Sequence, residues 1–473
     1  MQTTQDRLQV NRTPRRAPGP KGLPILGNFF EMRHISSLEN MLALREEYGD
    51  ILRMDTGPFT VHIINDPDMV QHVLQDNNRN YVKGYALSKS ENLLGKGLLT
   101  NEGEAWRSQR RLIQPAFHRQ VLDNFARVMT DSTAEMLADW AARPAGQPFN
   151  VSTDFLGLTL EIVGRTLYST SVNEADKRTV GRVMPFILEE TNRRISNIID
   201  IGEKLPTAAN RQLKRYIAEL DAIVYGMIEQ RRHSGEQLPD LLGMLLGAQD
   251  EDTGEGMNDK QLRDEVMTLF LAGHETTANN LSWTIYLLAE HPEVYVKVKA
   301  EVDQVLGGRT PSADDYRGLT YTRMVLDESL RLLPPAWAFG REPLEDDIVG
   351  GYSMPAGSSV IISPYVMHRH PDYWPEPEAF KPERFDPSVD SKRPKYAYLP
   401  FGGGPRQCIG NSFAQMEAVL VLAMLAQRYD FHTGPRPPGG TRADLHPALA
   451  RRGLDPHPGT LIKARFGGLF LAG

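Results

Sequence analysis

The residues best suited to chemistry surround Cys408, the one cysteine among 473 residues. Residues 401–410 read Phe-Gly-Gly-Gly-Pro-Arg-Gln-Cys-Ile-Gly, and the mostly apolar run from Asn411 predicts a buried helix. A cysteine at a helix N-terminus lies beside free amides and the positive end of the helix dipole, which favour the thiolate. Because consecutive glycines let the backbone approach a flat ligand, the loop predicts a thiolate ligand for heme iron. The alternative is a small buried apolar cysteine.

Five positions of this loop carry a family resemblance. Phe401, Gly404, Arg406, Cys408 and Gly410 follow the order Phe-x-x-Gly-x-Arg-x-Cys-x-Gly, which resembles the heme loop of the cytochrome P-450 monooxygenases. The resemblance implies that the cofactor is heme b (iron protoporphyrin IX) and that Cys408 is the axial ligand of its iron. It also implies that Phe401, Arg406 and Gly410 contact the cofactor.

The second candidate site lies inside the longest helical pattern, which we predict from Asp259 to Glu290 with Asn258 as its N-cap. The middle of this pattern, residues 272–277, reads Ala-Gly-His-Glu-Thr-Thr. Glycine, an acid and two threonines are poor choices for the centre of a buried helix. Such a break of local preference indicates a functional site. The alternative is a kink whose polar groups are satisfied within the helix.

This string is similar to the oxygen-side motif of the same family, Ala/Gly-Gly-x-Asp/Glu-Thr-Thr/Ser. The resemblance implies that Thr276 hydrogen-bonds dioxygen at the heme and that Glu275 relays protons from solvent. The chemistry requires two protons on the distal oxygen, which leaves as water, while the thiolate donates electron density from the other face. Ala272 is expected to lie against the heme and the substrate. His274 is expected to be structural or to face water.

Two further motifs are expected to support the heme loop. Glu328 and Arg331 are three residues apart in a predicted helix, so they share a face and can pair. Most isolated pairs of this kind are solvated surface pairs. Together with Arg384, in Pro-Glu-Arg-Phe, this pair resembles the family's buried ionic triad beneath the heme loop. Breaking such a triad is expected to be strongly destabilising, because an uncompensated charge stays buried.

Four residues are candidates for binding the heme propionates. Trp106 and Arg110 match the family's Trp-x-x-x-Arg helix, in which both side chains reach a propionate. Arg341 and Arg406 are the other candidates, since guanidinium groups suit carboxylates. For Arg341, a surface ion pair with Glu342 or Asp346 is the alternative.

The resemblance also nominates a substrate pocket beside the long helix, formed by Leu99, Ala272, Ala336 and Trp337. Each of these residues is apolar or aromatic, so ordinary core packing is the alternative for each. As a lining they indicate a lipophilic substrate, which could be fatty acyl, terpenoid or polyketide-like, held mainly by hydrophobic burial.

Within the family, the motifs look closest to the bacterial fatty-acid hydroxylases, with two departures. Phe59 stands where those enzymes carry a carboxylate-binding arginine, and Leu99 replaces an aromatic residue that crowds their heme. Both departures argue against a fatty acid as the substrate.

A fused reductase is not expected, because the chain ends soon after the heme domain. Electrons from NAD(P)H are therefore expected to arrive through separate proteins, a ferredoxin or flavodoxin plus a reductase. A set of basic residues could form the docking face for an acidic partner, or a plain solvated surface: Arg107, Arg110, Arg111, Arg119, Lys392, Arg393 and Lys395.

Composition is that of an ordinary globular protein. With 40% hydrophobic residues the chain can bury a large core, and a net charge of −7 gives no reason to expect nucleic acid. A single cysteine fits a reducing compartment. The N-terminal residues lack a signal-peptide core, and no run has the length of a membrane span. We therefore expect a cytoplasmic protein without membrane contact, and a monomer.

The elements that must position these residues are mainly helical. Segments 51–55 and 60–64 alternate like paired strands, and most of 104–330 reads as amphipathic helices. We expect a mainly α fold with a small β subdomain. By resemblance this is the P-450 fold, a triangular helical prism around a buried heme. Residues 1–16 are expected to be a flexible segment, and 17–473 a single heme-thiolate monooxygenase domain.

The leading functional hypothesis is thus a soluble, bacterial-type heme-thiolate monooxygenase that inserts one oxygen atom of O2 into a lipophilic molecule. One alternative is a peroxide-using or rearranging heme-thiolate enzyme, and another is a heme carrier or gas sensor. Glu275 and Thr276 argue against both alternatives, because neither activity needs an acid beside a threonine to deliver protons.

Overall fold

The computed structural model describes residues 14–32, 37–57, 59–144, 150–196, 205–236, 238, 240–247, 256–389, 392–433 and 447–451. Most of the flexible segment expected at the start of the chain, residues 1–13, lies outside the described residues.

Helices dominate the described residues. In chain order they are α1 (Phe29–Met32), α2 (Leu38–Tyr48), α3 (Pro67–Gln71), α4 (Tyr85–Ser88), α5 (Glu91–Leu94), α6 (Gly103–Ile113), α7 (Arg119–Ala142), α8 (Val151–Leu167), α9 (Glu174–Ser196), α10 (Ala208–Ser234), α11 (Leu241–Gly247), α12 (Asp259–Glu290), α13 (Pro292–Leu306), α14 (Thr320–Leu332), α15 (Pro364–Met367) and α16 (Asn411–Arg428).

The strands are short and form small sheets. They are β1 (Ile51–Thr56), β2 (Phe59–Ile64), β3 (Tyr81–Lys83), β4 (Phe339–Pro343), β5 (Asp347–Val349), β6 (Tyr352–Met354), β7 (Ser359–Ile362), β8 (Tyr429–Thr433) and β9 (Pro447–Arg451). The main sheet has the order β1-β2-β7-β4-β3, in which β2 and β7 pair in parallel and the other neighbours are antiparallel. The predicted pairing of residues 51–55 with 60–64 is the β1–β2 hairpin. The expected class, mainly α with a small β subdomain, is confirmed.

Helix α12 has the predicted bounds. The side chain of Asn258 accepts the amide of Gln261 at 2.9 Å, and the side chain of Gln261 accepts the amide of Asn258 at 3.0 Å, so a reciprocal capping box fixes the first turn. At 1.5 Å per residue this helix is about 48 Å long. Most of its side chains are buried, because α8, α10, α14 and α16 pack around it.

The core is divided between the helices and the sheet. One large apolar cluster joins α6–α8, α12, α13 and α16, and two smaller clusters pack on the main sheet. The sheet therefore forms a side wall, while the centre of the molecule lies between α12 and α16. Among the described residues, no helix combines the length and the apolar character that crossing a bilayer requires.

Candidate active site

The loop that carries Cys408 is fixed by its backbone and by α16. The amide of Cys408 donates to the carbonyl of Phe401 at 2.9 Å, and the amide of Ala414 donates to the carbonyl of Gly410 at 2.8 Å. The helix begins at Asn411 with Gly410 as its N-cap. Cys408 therefore lies just ahead of a helix N-terminus, where the sequence predicts it.

The thiol of Cys408 opens onto an internal cavity and is otherwise enclosed by protein. Burial raises the pKa of this thiol above its ordinary value, and the amides of Gly410 and Asn411 and the Arg110 guanidinium offset only part of that effect. The amides at the helix end therefore favour the thiolate, as the sequence predicts, but burial has the larger effect on the pKa. The dipoles are present, but a bound cation is needed to stabilise the anion fully.

The glycines before Cys408 also allow close packing of the loop on the protein around it. Gly402 and Gly404 have φ angles of 69° and 65°, which side-chain-bearing residues rarely adopt. A Cβ on Gly404 would lie 1.8 Å from the carbonyl oxygen of Leu74, and one on Gly403 would lie 2.4 Å from the ring of Tyr396. The glycines let the loop pack on its protein neighbours, which holds it in place for a ligand.

A cavity of about 440 Å³ separates this loop from the middle of α12. Its lining contains most of the residues that the sequence nominates: Leu99, Trp106, Arg110, Ala272, Glu275, Thr276, Ala336, Phe401, Arg406, Cys408 and Gly410. The two stretches predicted to act on one cofactor therefore face each other across a shared space.

Trp337 is the exception among the predicted pocket residues. It is buried on the other side of its chain segment, in the cluster with Met41 and Leu44. Its carbonyl accepts the hydroxyl of Ser363 at 2.8 Å. Because neighbouring side chains in an extended segment point in opposite directions, only Ala336 of this pair reaches the cavity. The nomination of Trp337 is wrong.

The middle of α12 presents Thr276 and Glu275 to the cavity. The hydroxyl of Thr276 donates to the carbonyl of Ala272 at 3.0 Å, so its oxygen lone pairs remain available to a ligand. Burial raises the pKa of Glu275 to about 8. This carboxyl group is therefore mostly protonated at neutral pH and can serve as a proton donor beside Thr276.

The other residues of this string have structural roles. His274 points away from the cavity, and its Nδ1 donates a hydrogen bond to the carbonyl of Phe270 at 2.9 Å. Burial lowers its pKa to about 4. It is therefore neutral and structural and does not face water. A Cβ on Gly273 would lie 2.9 Å from a methyl group of Val163. This glycine lets α8 approach α12, and the helix runs on without a break.

Cationic side chains cluster at one edge of the cavity. The Arg406 guanidinium lies over the ring of Trp106, 3.7 Å from its centroid, and donates to the carbonyl of Asn101 at 2.9 Å. Arg406 also pairs with Glu102. Arg110 donates to the carbonyl of Gln407 at 2.8 Å and so braces the loop next to Cys408.

Arg341 and Lys83 are further cations near this edge, although Arg341 is not among the residues that line the cavity. Arg341 is only 4% exposed, so the alternative of a surface ion pair does not hold. Its Nη1 donates to Gly340, whereas its Nη2 is buried without a hydrogen-bond partner among the described residues. Burial lowers the pKa of Arg341 to about 10. Lys83 lines the cavity beside these cations, and no motif in the sequence singles it out; its signal is a lone lysine in a buried strand.

These residues fit heme b. A buried guanidinium nitrogen without a partner, surrounded by further cations, is a site for carboxylates. The acid that lies among these cations, Glu102, does not reach Nη2 of Arg341. A planar group with two propionates on one edge would satisfy these cations, and a thiolate from Cys408 would reach its metal.

Comparison with known proteins decides the family. A sequence model described as Cytochrome P450 matches residues 17–444. The cyclooctatin synthase of Streptomyces melanosporofaciens is 37% identical, over 95% of this chain and 96% of that protein. The cyclooctat-9-en-7-ol 5-monooxygenase of the same organism is 36% identical over 88% and 89%. The pentalenene oxygenase of Streptomyces avermitilis is 33% identical over 86% and 90%.

The chain belongs to the cytochrome P450 family. This P450 is a heme-dependent monooxygenase that inserts one oxygen atom of O2 into a lipophilic small molecule. Its electrons come from NAD(P)H by way of partner proteins. The P-450 fold that the heme-loop motif predicts is confirmed.

Below the heme loop of this P450, Glu328 and Arg331 form a bidentate pair at 2.7 and 2.8 Å, and both side chains are 0% exposed. Arg384 approaches the same carboxylate at 3.3 Å. The three predicted residues therefore meet. Arg331 also donates to the carbonyls of His368 and Pro377, so the pair joins α14 to the chain segment that leads into the heme loop.

The predicted basic face is only partly present. Arg107, Arg110 and Arg111 border a shallow depression beside the heme loop. Arg393 instead lies over the ring of Trp374, 4.1 Å from its centroid, and donates to the carbonyl of Arg384. It therefore belongs to the scaffold of the triad. The side chain of Arg119 lies outside those described.

Proposed function

We propose that this P450 oxygenates a cyclic terpenoid, either a hydrocarbon or a monoalcohol, which the cavity binds by shape and hydrophobic burial. The observation that carries this proposal is the aliphatic character of the wall next to Thr276. That wall is formed by Leu93, Leu94, Leu98, Leu99, Val163, Leu167, Met184, Leu188, Leu269 and Leu271.

Such a wall suits a compact hydrocarbon better than a fatty acid. A carboxylate buried in it without a cation would be strongly unfavourable. Of the described cations that line the cavity, Arg110 and Arg406 lie at the propionate edge and Arg323 lies on α14. The fourth, Lys83, has its ammonium group hydrogen-bonded to the backbone carbonyls of Leu98 and Leu99. Phe59, at the position of the hydroxylases' carboxylate-binding arginine, is 55% exposed and offers no charge.

The names of the relatives support the same substrate class. Cyclooctatin synthase, cyclooctat-9-en-7-ol 5-monooxygenase and pentalenene oxygenase are named for polycyclic terpenoids. We extend that class, and no particular compound, to this chain.

On the cofactor side, we assign Cys408 as the ligand of the heme iron. We assign Trp106 and the four cations Arg110, Arg341, Arg406 and Lys83 as the residues that bind the propionates. Bound heme supplies the activation of dioxygen. Phe401, Gly410 and Ala272 contact the faces of the heme. Glu328, Arg331 and Arg384 have a structural role, because their paired charges lie away from the cavity.

On the oxygen side, we assign proton delivery to Glu275 and Thr276. The carboxyl of Glu275 holds a proton at neutral pH because its pKa is about 8. The Oγ1 atom of Thr276 lies on the cavity surface one residue further along and can receive that proton and pass it on. Exclusion of bulk water by the leucine wall keeps this proton directed to the reaction.

We further propose that a ferredoxin or flavodoxin docks on the face that carries Arg107 and Arg111, and that the enzyme acts as a cytoplasmic monomer. Both arginines lie on α6, the helix that also holds Trp106 and Arg110, so an acidic partner bound there lies close to the heme edge.

The test of this function is a substrate titration of the purified holoenzyme. At least one member of a panel of cyclic terpenes that includes pentalenene is expected to shift the heme absorption from low to high spin, whereas palmitic acid is expected to leave it unchanged. Turnover with NADPH and a surrogate ferredoxin–reductase pair should add one oxygen atom to the terpenoid. A spin shift with palmitic acid and none with a panel of cyclic terpenes would contradict the proposal.

The alternative of a peroxide-using enzyme is examined in the same assay. Product formation with hydrogen peroxide alone, at a rate equal to that with the electron-transfer proteins, would favour it. Glu275 and Thr276 on the cavity surface argue for the NAD(P)H-dependent reaction.

A further inference from the structure

The loop that carries Leu98 and Leu99 packs on α12 at two glycines, so that no side chain of the loop lies between them. Gly95 has a φ angle of +62°, and a Cβ on it would lie 1.9 Å from the carboxylate of Asp264. A Cβ on Gly97 would lie 2.3 Å from Oγ1 of Thr268. The loop backbone therefore rests directly on the helix.

Acidic and basic side chains hold this loop from two directions. From α12, Asp264 accepts the amide of Lys96 at 2.8 Å and Glu265 accepts the amide of Leu98 at 2.9 Å. From β3, the ammonium group of Lys83 donates to the carbonyl of Leu98 at 3.1 Å and to that of Leu99. The peptide units that carry two wall residues of the cavity are thus hydrogen-bonded on both sides.

A carboxyl group is energetically unfavourable at the position of Glu265. Its side chain is 0% exposed, and its Oε1 has no hydrogen-bond partner among the described residues. Burial raises the pKa of this carboxyl to about 8, and the opposing influences are the Leu98 amide and the Lys83 charge. An aliphatic residue would fill the same space without this desolvation cost. The hydrogen bond to Leu98 is the described interaction that distinguishes a carboxyl group from such a residue.

We infer that Glu265, acting with Lys83, is a positioning residue that sets the distance of the Leu98–Leu99 wall from the reacting centre. It does so through the backbone of the loop and touches neither substrate nor heme. A displacement of the reacting atoms by about 1 Å can change a reaction rate by about a hundredfold. The position of this wall therefore determines which carbon atom of the substrate lies close enough to the oxygen to react. The inference rests on the proposed monooxygenase site, but it does not depend on the substrate being a terpenoid.

The test uses ligands of the heme iron, so that it does not require the substrate. Imidazole is small and reports on the heme and its immediate surroundings. 1-Phenylimidazole binds through the same nitrogen, and its ring extends towards the wall. Both dissociation constants are measured from the absorption shift of the purified holoenzyme, together with heme content.

Glu265→Leu removes the acceptor for Leu98 and is expected to weaken 1-phenylimidazole about tenfold, the effect of losing about one buried hydrogen bond. Imidazole is expected to change less than about twofold, since heme ligation is untouched. Glu265→Gln keeps an acceptor oxygen and should restore the wild-type ratio of the two constants. Thr284→Val, which removes another buried polar group of α12, is the matched control and should leave the ratio unchanged.

An unchanged ratio in Glu265→Leu, or equal weakening of both ligands, would overturn the inference. If this variant does not incorporate heme, Gly97→Ala provides the second test. Its added Cβ would lie 2.3 Å from Oγ1 of Thr268, so the loop must move away from α12, and the same selective loss is expected. Failure of every terpenoid to bind, with a changed azole ratio, would contradict the proposed substrate and leave the role of Glu265 standing.

Discussion

The two sides of the cavity are stabilised by different kinds of interaction. On the thiolate side, the pair of Glu328 and Arg331 is fully buried, and each charge has several hydrogen bonds. On the substrate side, the wall is aliphatic, and its shape depends on close packing at glycines, as at Gly97 against Thr268 and at Gly273 against Val163. One side is fixed by directional bonds between charges, and the other by close packing.

This difference decides what each side tolerates. A buried ion pair that loses one partner leaves a bare charge, so the thiolate side should fail completely when it is altered. A packed apolar wall loses transfer and cavity energy in proportion to the change, so the substrate side should respond gradually. Amino-acid substitutions in the wall can therefore change the substrate of such an enzyme while its heme loop stays the same.

The largest effect is expected at Cys408. Cys408→Ser replaces the thiolate by a weaker ligand, and turnover should fall below detection. The reduced carbon-monoxide complex should lose its thiolate-type absorption band. The measurement is the carbon-monoxide difference spectrum at matched heme concentration. A variant that keeps both the band and turnover would contradict the assignment of the axial ligand.

The next largest effect is expected in the ionic triad. Arg331→Leu leaves the Glu328 carboxylate buried without its main partner and should lower the free energy of unfolding by about 3–5 kcal/mol. The measurement is denaturant unfolding followed by heme absorption and circular dichroism. The control is Arg182→Leu, which breaks an exposed pair with Glu219 and should cost at most about 1 kcal/mol. Equal losses in both variants would show that the triad is not a distinct support.

The sequence predicts the thiolate side well because its chemistry requires particular residue types. Cys408, Glu328 and Arg384 stand in motifs that resemble those of the P450 family, and the resemblance implies where they lie relative to the heme loop. Lys83 and Glu265 have no such motif, and their importance follows from a strand and a helix that meet only in the folded chain. The wrong nomination of Trp337 has the same origin, because apolar residues next to each other in sequence give no sign of which one faces a cavity.

A catalytic effect of intermediate size is expected at Glu275. Glu275→Gln removes the proton donor and should lower kcat by about a hundredfold or more. In the wild type, kcat should also fall as the pH rises through about 8, where this carboxyl loses its proton. In the variant, this decrease in kcat at high pH should be absent. If kcat of the variant decreases by the same factor over this pH range, the ionisation belongs to a group other than Glu275.

The same residue predicts a pH dependence of stability. Burial raises the pKa of Glu275 from its ordinary 4.5 to about 8, so above pH 4.5 the folded state binds the proton more tightly than the unfolded state. Stability from this group is therefore complete below about pH 4.5 and is lost as the pH rises through about 8. Glu275→Gln should lose less stability than the wild type between pH 5 and pH 8, as measured by denaturant unfolding at fixed ionic strength.

The smallest effect, and the sharpest test of the contrast between the two sides, is expected at Gly273. An added methyl group would lie 2.9 Å from a methyl of Val163, and overpacking of this kind costs about 1–3 kcal/mol. Exchange of a mid-helix glycine for alanine returns about 1 kcal/mol of helix propensity. Gly273→Ala should therefore lower the free energy of unfolding by only about 0–2 kcal/mol. Val163→Ala removes the opposing methyl groups, so the double variant should be more stable than the sum of the single effects predicts. Strict additivity would mean that α8 and α12 do not meet at this point, whereas recovery in the double variant would show that close packing positions the substrate side.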